Sequence, residues 1–138
     1  MMGALTLAAV LGTLAWAVLR VLRSWRSPGG WLGLAVTAAV STFAMYVYGL
    51  FSAAAYDIGE TCGQLGQRYD NDYRSERWRE PGLWFPLHNR CNAGNDLVPA
   101  YVNPLLVTLA AITLSSVAAA VTLTITVRNA KRSRAARR

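Results

Sequence analysis

Residues 1–19, 31–56 and 105–127 form three stretches without a charged side chain, 19, 26 and 23 residues long. A run of roughly 18 or more apolar residues is the length at which a helix spans hydrocarbon, because each residue advances about 1.5 Å. A chain in lipid must satisfy its backbone internally, as a helix or within a closed barrel. Strict alternation of apolar and polar residues is missing from all three runs, so the barrel is excluded and helices are expected over about 2–19, 31–56 and 104–127. The fold class that follows is an all-α integral membrane protein: three transmembrane helices in a single membrane domain, with an outer loop over 57–103 and a basic tail over 128–138.

Charge placement sets the orientation. The chain of 138 residues carries 14 Lys and Arg against 7 Asp and Glu, for a net charge of +7. All the acids (Asp57, Glu60, Asp70, Asp72, Glu76, Glu80 and Asp96) fall in the segment between the second and third runs. Arg20, Arg23 and Arg26 join the first two runs, and Arg128, Lys131, Arg132, Arg134, Arg137 and Arg138 follow the third, without an acid beside them. Short basic segments stay in the cytoplasm. The linker and the tail are therefore expected inside, with the N-terminus and the 57–103 loop outside. Ala15-Trp16-Ala17 has the form of a signal-peptide cleavage site, but residues 1–19 lack the basic region such peptides begin with. A retained first span is expected. Anionic lipid headgroups are the expected partner of the tail. Nucleic acid is not, because the tail has no aromatic residue on which a base could stack.

Aromatic and turn residues mark the span ends. Trp25 and Trp31 flank the inner linker, and Tyr46, Tyr48, Phe51 and Tyr56 crowd the outer half of the second run, where amphipathic rings favour the headgroup region. Ser27-Pro28-Gly29-Gly30 reads as a turn. Asn103 is positioned to cap the third span with Pro104 in its first turn, and residues 97–102 read as an approach along the interface. Ala9-Thr13-Ala17 and Ala111-Ser115-Ala119 place a small residue every fourth position, a spacing that permits close helix approach. The hydroxyls of the third run either bond back to their own helix or cross to a neighbour.

The outer loop holds the remaining chemistry. Cys62 and Cys91 both lie on the oxidising side, which points to a disulfide. The C-x-x-C spacing of thiol oxidoreductases is missing. His88, the single histidine, reads as a solvated loop residue, since a zinc site needs three or four convergent ligands. Asp70-Asn71-Asp72 lacks the glycine and the closing glutamate of a calcium loop and reads as a polar turn. No cofactor and no metal are expected. Residues 68–80 mix both charge signs with aromatic rings, and a short helix there would pair Tyr69 with Tyr73 and Arg74 with Trp78. Tyr, Trp and Arg are the residue types of binding hot spots. Tyr69, Tyr73, Arg74, Trp78, Trp84 and His88 are therefore the candidate partner-binding residues. Residues 81–86 bring an apolar stretch back towards the headgroups or onto the disulfide.

Cys91-Asn92-Ala93-Gly94-Asn95-Asp96-Leu97-Val98-Pro99-Ala100-Tyr101-Val102-Asn103-Pro104 resembles a segment of small multi-pass membrane proteins of actinobacteria, which share a cysteine, a short polar stretch and an L-V-P-x-aromatic-V-N-P lead into a terminal span. The resemblance covers 14 residues and the loop-then-span layout around them. It implies a multi-pass architecture in a bacterial cytoplasmic membrane and brings no catalytic residue to this chain. The function expected is that of an accessory or scaffold subunit, non-enzymatic, binding a membrane-protein partner or a second copy of itself. The alternatives are a thiol-redox or lipid-modifying enzyme and an oligomeric pore or transporter subunit.

Overall fold

The computed structural model describes residues 2–54 and 57–137, with side chains at residue 5 and from residue 7 onward. Tyr56 and Arg138, assigned above to the second span and the tail, lie outside the described residues. The chain is mostly helical: α1 (Met2–Arg23), α2 (Pro28–Ala53), α3 (Ile58–Gln64), α4 (Asn71–Glu76) and α5 (Val102–Ala135), with β1 (Arg90–Asn92) and β2 (Asn95–Asp96) as a two-stranded hairpin. Among the described residues, α2 and α5 are long and apolar enough to cross a membrane.

Local chemistry accounts for the helix ends. Pro28 opens α2, so three of the four residues of the Ser27–Gly30 segment expected as a turn are helical; proline suits a first turn because the N–H it lacks has no partner there. The preceding Ser24-Trp25-Arg26 makes the actual turn, and the Trp31 indole closes it by donating to the Trp25 carbonyl at 2.9 Å. α5 runs past Val127 to Ala135 because Arg, Lys and Ala are good helix formers and no proline or glycine interrupts them.

The chain forms two compact units, residues 1–42 with 108–138 and residues 43–107. In the first, α1, α2 and α5 meet where Ala17, Val21 and Leu34 bury against Trp31 and Ile112. Leu34, Ala35, Ala38 and Ser41 recur at helical spacing along the buried stripe of α2. On α5 the buried residues of this unit are Leu109, Ser116 and Ala120, whereas Ala111 and Ser115 of the small-residue series are exposed. On α1, Ala17 is buried but Ala9 and Thr13 are exposed. The small-residue spacing therefore does not mark the packed faces. Of the hydroxyls of the third run, Thr113, Thr122 and Thr124 each donate to the carbonyl four residues back.

In the second unit the last three turns of α2 and the start of α5 frame the loop. Gly49 is a close-approach position: a Cβ there would lie 2.6 Å from Leu87 Cδ1 and 2.9 Å from Val102 Cγ1. Leu87, Val98 and Val102 are buried in this unit, while Ala100 and Tyr101 of the 97–102 approach are exposed.

Candidate functional site

The second unit is held by one covalent tie and by two side-chain amides. Cys62 of α3 and Cys91 of β1 form a disulfide, with 5.9 Å between their Cα atoms and both residues buried. Asp57 and Asp70 fix the ends of α3 and α4 as N-caps, their carboxylates accepting from Glu60 N–H and Tyr73 N–H at 3.0 Å. The Asp70-Asn71-Asp72 segment is thus a helix start, not a free turn. The Asp70 N–H in turn donates to the Cys91 carbonyl at 3.0 Å, which joins the cap to the bridge.

Two asparagines do what sequence reading did not assign to them. Asn89, 4% exposed, donates through Nδ2 to the Ala53 carbonyl at the end of α2 (2.6 Å) and accepts through Oδ1 from Arg74 Nη1 (2.7 Å). Asn103 does not cap α5. It lies one residue inside the helix and clamps Leu87, accepting from its N–H and donating to its carbonyl, each at 2.9 Å. An amide is the side chain that can do both at once, because it carries donor and acceptor side by side. The sequence signal was a lone asparagine before the last apolar run, which a cap explains equally well.

Asp96 of β2 is the second node. Its Oδ1 accepts from the N–H groups of Asn89 and Val98 at 3.0 Å, and its Oδ2 lies 2.6 Å from His88 Nδ1 and 3.6 Å from Arg90 Nε. His88 is therefore a partly buried, paired residue and not the solvated histidine expected. Burial of Asp96 pushes its carboxyl up, but the Asn89 N–H, His88 and the Val98 N–H outweigh it and hold the group below its ordinary range. A carboxyl lower in the fold than in the open chain adds stability above its open-chain value. That stability is lost as pH falls through the folded value. This unit should therefore weaken below about pH 4, and Asp96→Asn should remove part of that dependence. Thermal unfolding of the two full-length proteins between about pH 3 and 7 checks this; parallel curves would refute it.

These two nodes divide the candidate binding residues. Arg74 is engaged inside the unit by Asn89 Oδ1 and the Arg90 carbonyl (3.1 Å), and the Tyr73 hydroxyl accepts from Arg90 Nη1 at 3.0 Å. Tyr69 precedes the Asp70 cap and Trp78 follows Arg77, where α4 has ended, so neither expected pair shares a helix face. Trp78 is 69% exposed with the Arg79 guanidinium 4.9 Å from its ring, and Arg77 lies 5.1 Å from the Tyr73 ring. Trp84 is also exposed, between Leu83 and Phe85, and its carbonyl accepts from the Tyr46 hydroxyl of α2 at 3.0 Å. The apolar 83–85 stretch is therefore tied to α2. No buried side-chain polar atom among the described residues lacks a hydrogen-bond partner. No cluster of three or more metal-ligating side chains occurs among them.

Comparison with family models, with curated proteins and with solved structures returned no match.

Proposed function

We propose that this is a three-span accessory protein of a bacterial cytoplasmic membrane whose disulfide-tied outer unit binds a partner membrane protein through Trp78 and Arg79. The observation that carries this reading is the contrast inside the outer unit. Asn89, Arg74, His88 and Asp96 are engaged in holding the unit together, while Trp78 and Arg79 project from it with no such task. Solvent-exposed Trp and Arg together are hot-spot chemistry. The buried bridge supports a binding role over thiol exchange, which needs an accessible sulfur.

α1 is the third span in this reading. It runs uncharged to Arg20, and Ala17 and Val21 bury in a core shared with α2 and α5, which supports a retained helix over a cleaved leader. Positive charge then places the α1–α2 linker and the tail in the cytoplasm and the 57–103 loop outside. Leu83, Trp84 and Phe85, tied to Tyr46 of α2, serve as an anchor at headgroup depth.

Photo-crosslinking in intact cells tests the assignment. A photoreactive residue replacing Trp78 should give a discrete protein adduct, and one replacing Trp84 should label lipid. An intact, inserted protein with no protein adduct at Trp78 would sink the binding role. Ser75→Cys and Ser133→Cys should label with an impermeant thiol reagent from opposite sides; labelling from the same side would overturn the topology.

A further inference from the structure

We infer that the first unit carries a binding site for one anionic glycerophospholipid, its phosphate on Arg20 and Arg23 and an acyl chain along the groove between α1 and α2. This inference rests on the membrane reading above and adds a ligand to it. The groove has a volume of about 800 Å³, within the range of sites that hold small ligands. Its lining changes character along the helices. Arg20, Arg23 and Ser27 lie at the linker end, while Trp16, Gly33 and Val36 lie one to two turns further in.

Three features match that polarity to an anionic amphiphile. First, residues 1–56 and 97–138 contain no Asp or Glu, so no carboxylate side chain of the first unit can neutralise these arginines. Second, two of the three hydroxyls of the wall are turned to helix carbonyls, Ser24 donating to Arg20 at 2.9 Å and Thr37 to Gly33 at 2.9 Å, and the third, Ser27, lies at the linker end. The inner groove is apolar in effect. Third, the Trp16 ring lies 5.1 Å from the Arg20 guanidinium and so holds that charge at the mouth of the groove. A Cβ added at Gly33 would meet nothing within 4 Å, so the space beside it is open; at Gly30 it would lie 2.6 Å from Ser24 Oγ, where the linker closes down.

The test uses the full chain purified in mild detergent, after alkaline extraction has shown that it stays in the membrane; release at that step would refute the membrane reading itself. Native mass spectrometry then measures retention of phosphatidylglycerol against phosphatidylcholine with the same acyl chains. Two arginines at the headgroup should favour phosphatidylglycerol by about tenfold or more. Arg20→Gln with Arg23→Gln should bring the ratio near one. Gly33→Leu, which fills the groove without changing charge and favours helix, should lower occupancy several-fold. Inorganic phosphate should not displace the lipid. Equal retention of the two lipids by the parent protein would overturn the inference. So would a preference that survives loss of both arginines, an occupancy that Gly33→Leu leaves unchanged, or displacement by phosphate, which would mark a site for the free anion.

Discussion

Replacing Asn89 with alanine is expected to open the outer unit by about 3 kcal/mol, the largest effect of any single side chain there. The substitution removes two short hydrogen bonds at once, to the Ala53 carbonyl and from Arg74. It leaves a helix-end carbonyl and part of a guanidinium without partners, in a place where a buried polar group without a bond costs roughly 1–3 kcal/mol and a charged one more. The disulfide supplies the readout. Cys62 and Cys91 are 0% and 1% exposed, so a dithiol reaches them only when the unit opens. Reduction of the full-length protein should accelerate about a hundredfold in Asn89→Ala. Asn89→Asp keeps an acceptor for Arg74 but puts a carboxylate oxygen against the Ala53 carbonyl, so its rate should fall between the two. Equal reduction rates in all three proteins would show that Asn89 does not hold the unit closed.

Removal of the bridge itself should be at least as severe. The sequence separation of 29 between the two cysteines closes a loop that chain entropy values at about 3.6 kcal/mol. The unit it ties has a two-stranded hairpin and two short helices in place of a large core, so little else compensates. Cys62→Ala with Cys91→Ala, in the full chain in proteoliposomes, should expose Arg68, Arg77 and Arg79 to trypsin while total helicity changes little. A loop as resistant as the parent would assign the stability to the amide network alone.

The two effects differ in how far they could be foreseen. The bridge was legible because two cysteines allow one intramolecular pairing. The helices were legible to within a few residues because an uncharged run of over twenty residues leaves the backbone little choice; α2 starts three residues before its apolar run and α5 ends eight residues beyond its own. Asn89 and Asn103 were not legible. Each acts on a backbone group 36 or 16 residues away, and no local pattern encodes such a partner. His88 was misjudged for the same reason, since Asp96 reaches it across the hairpin. A short helix between Tyr69 and Trp78 was considered, but not its cap at Asp70 or its end at Glu76, which separated the pairs drawn on it.

The Asn103 clamp on Leu87 also has a consequence for biosynthesis. Three long ties join a residue made early to one made much later: Tyr46 with Trp84, Ala53 with Asn89, and Leu87 with Asn103. A ribosome delivers the earlier partner of each pair first, so α2 is made while its end is still uncapped and Cys62 appears well before Cys91. The last of these ties waits for the first turn of α5. Assembly of the loop is therefore a late event, completed as the final helix arrives, and a chain arrested before Asn103 would present both cysteines to an oxidant without the clamp that fixes the segment between them.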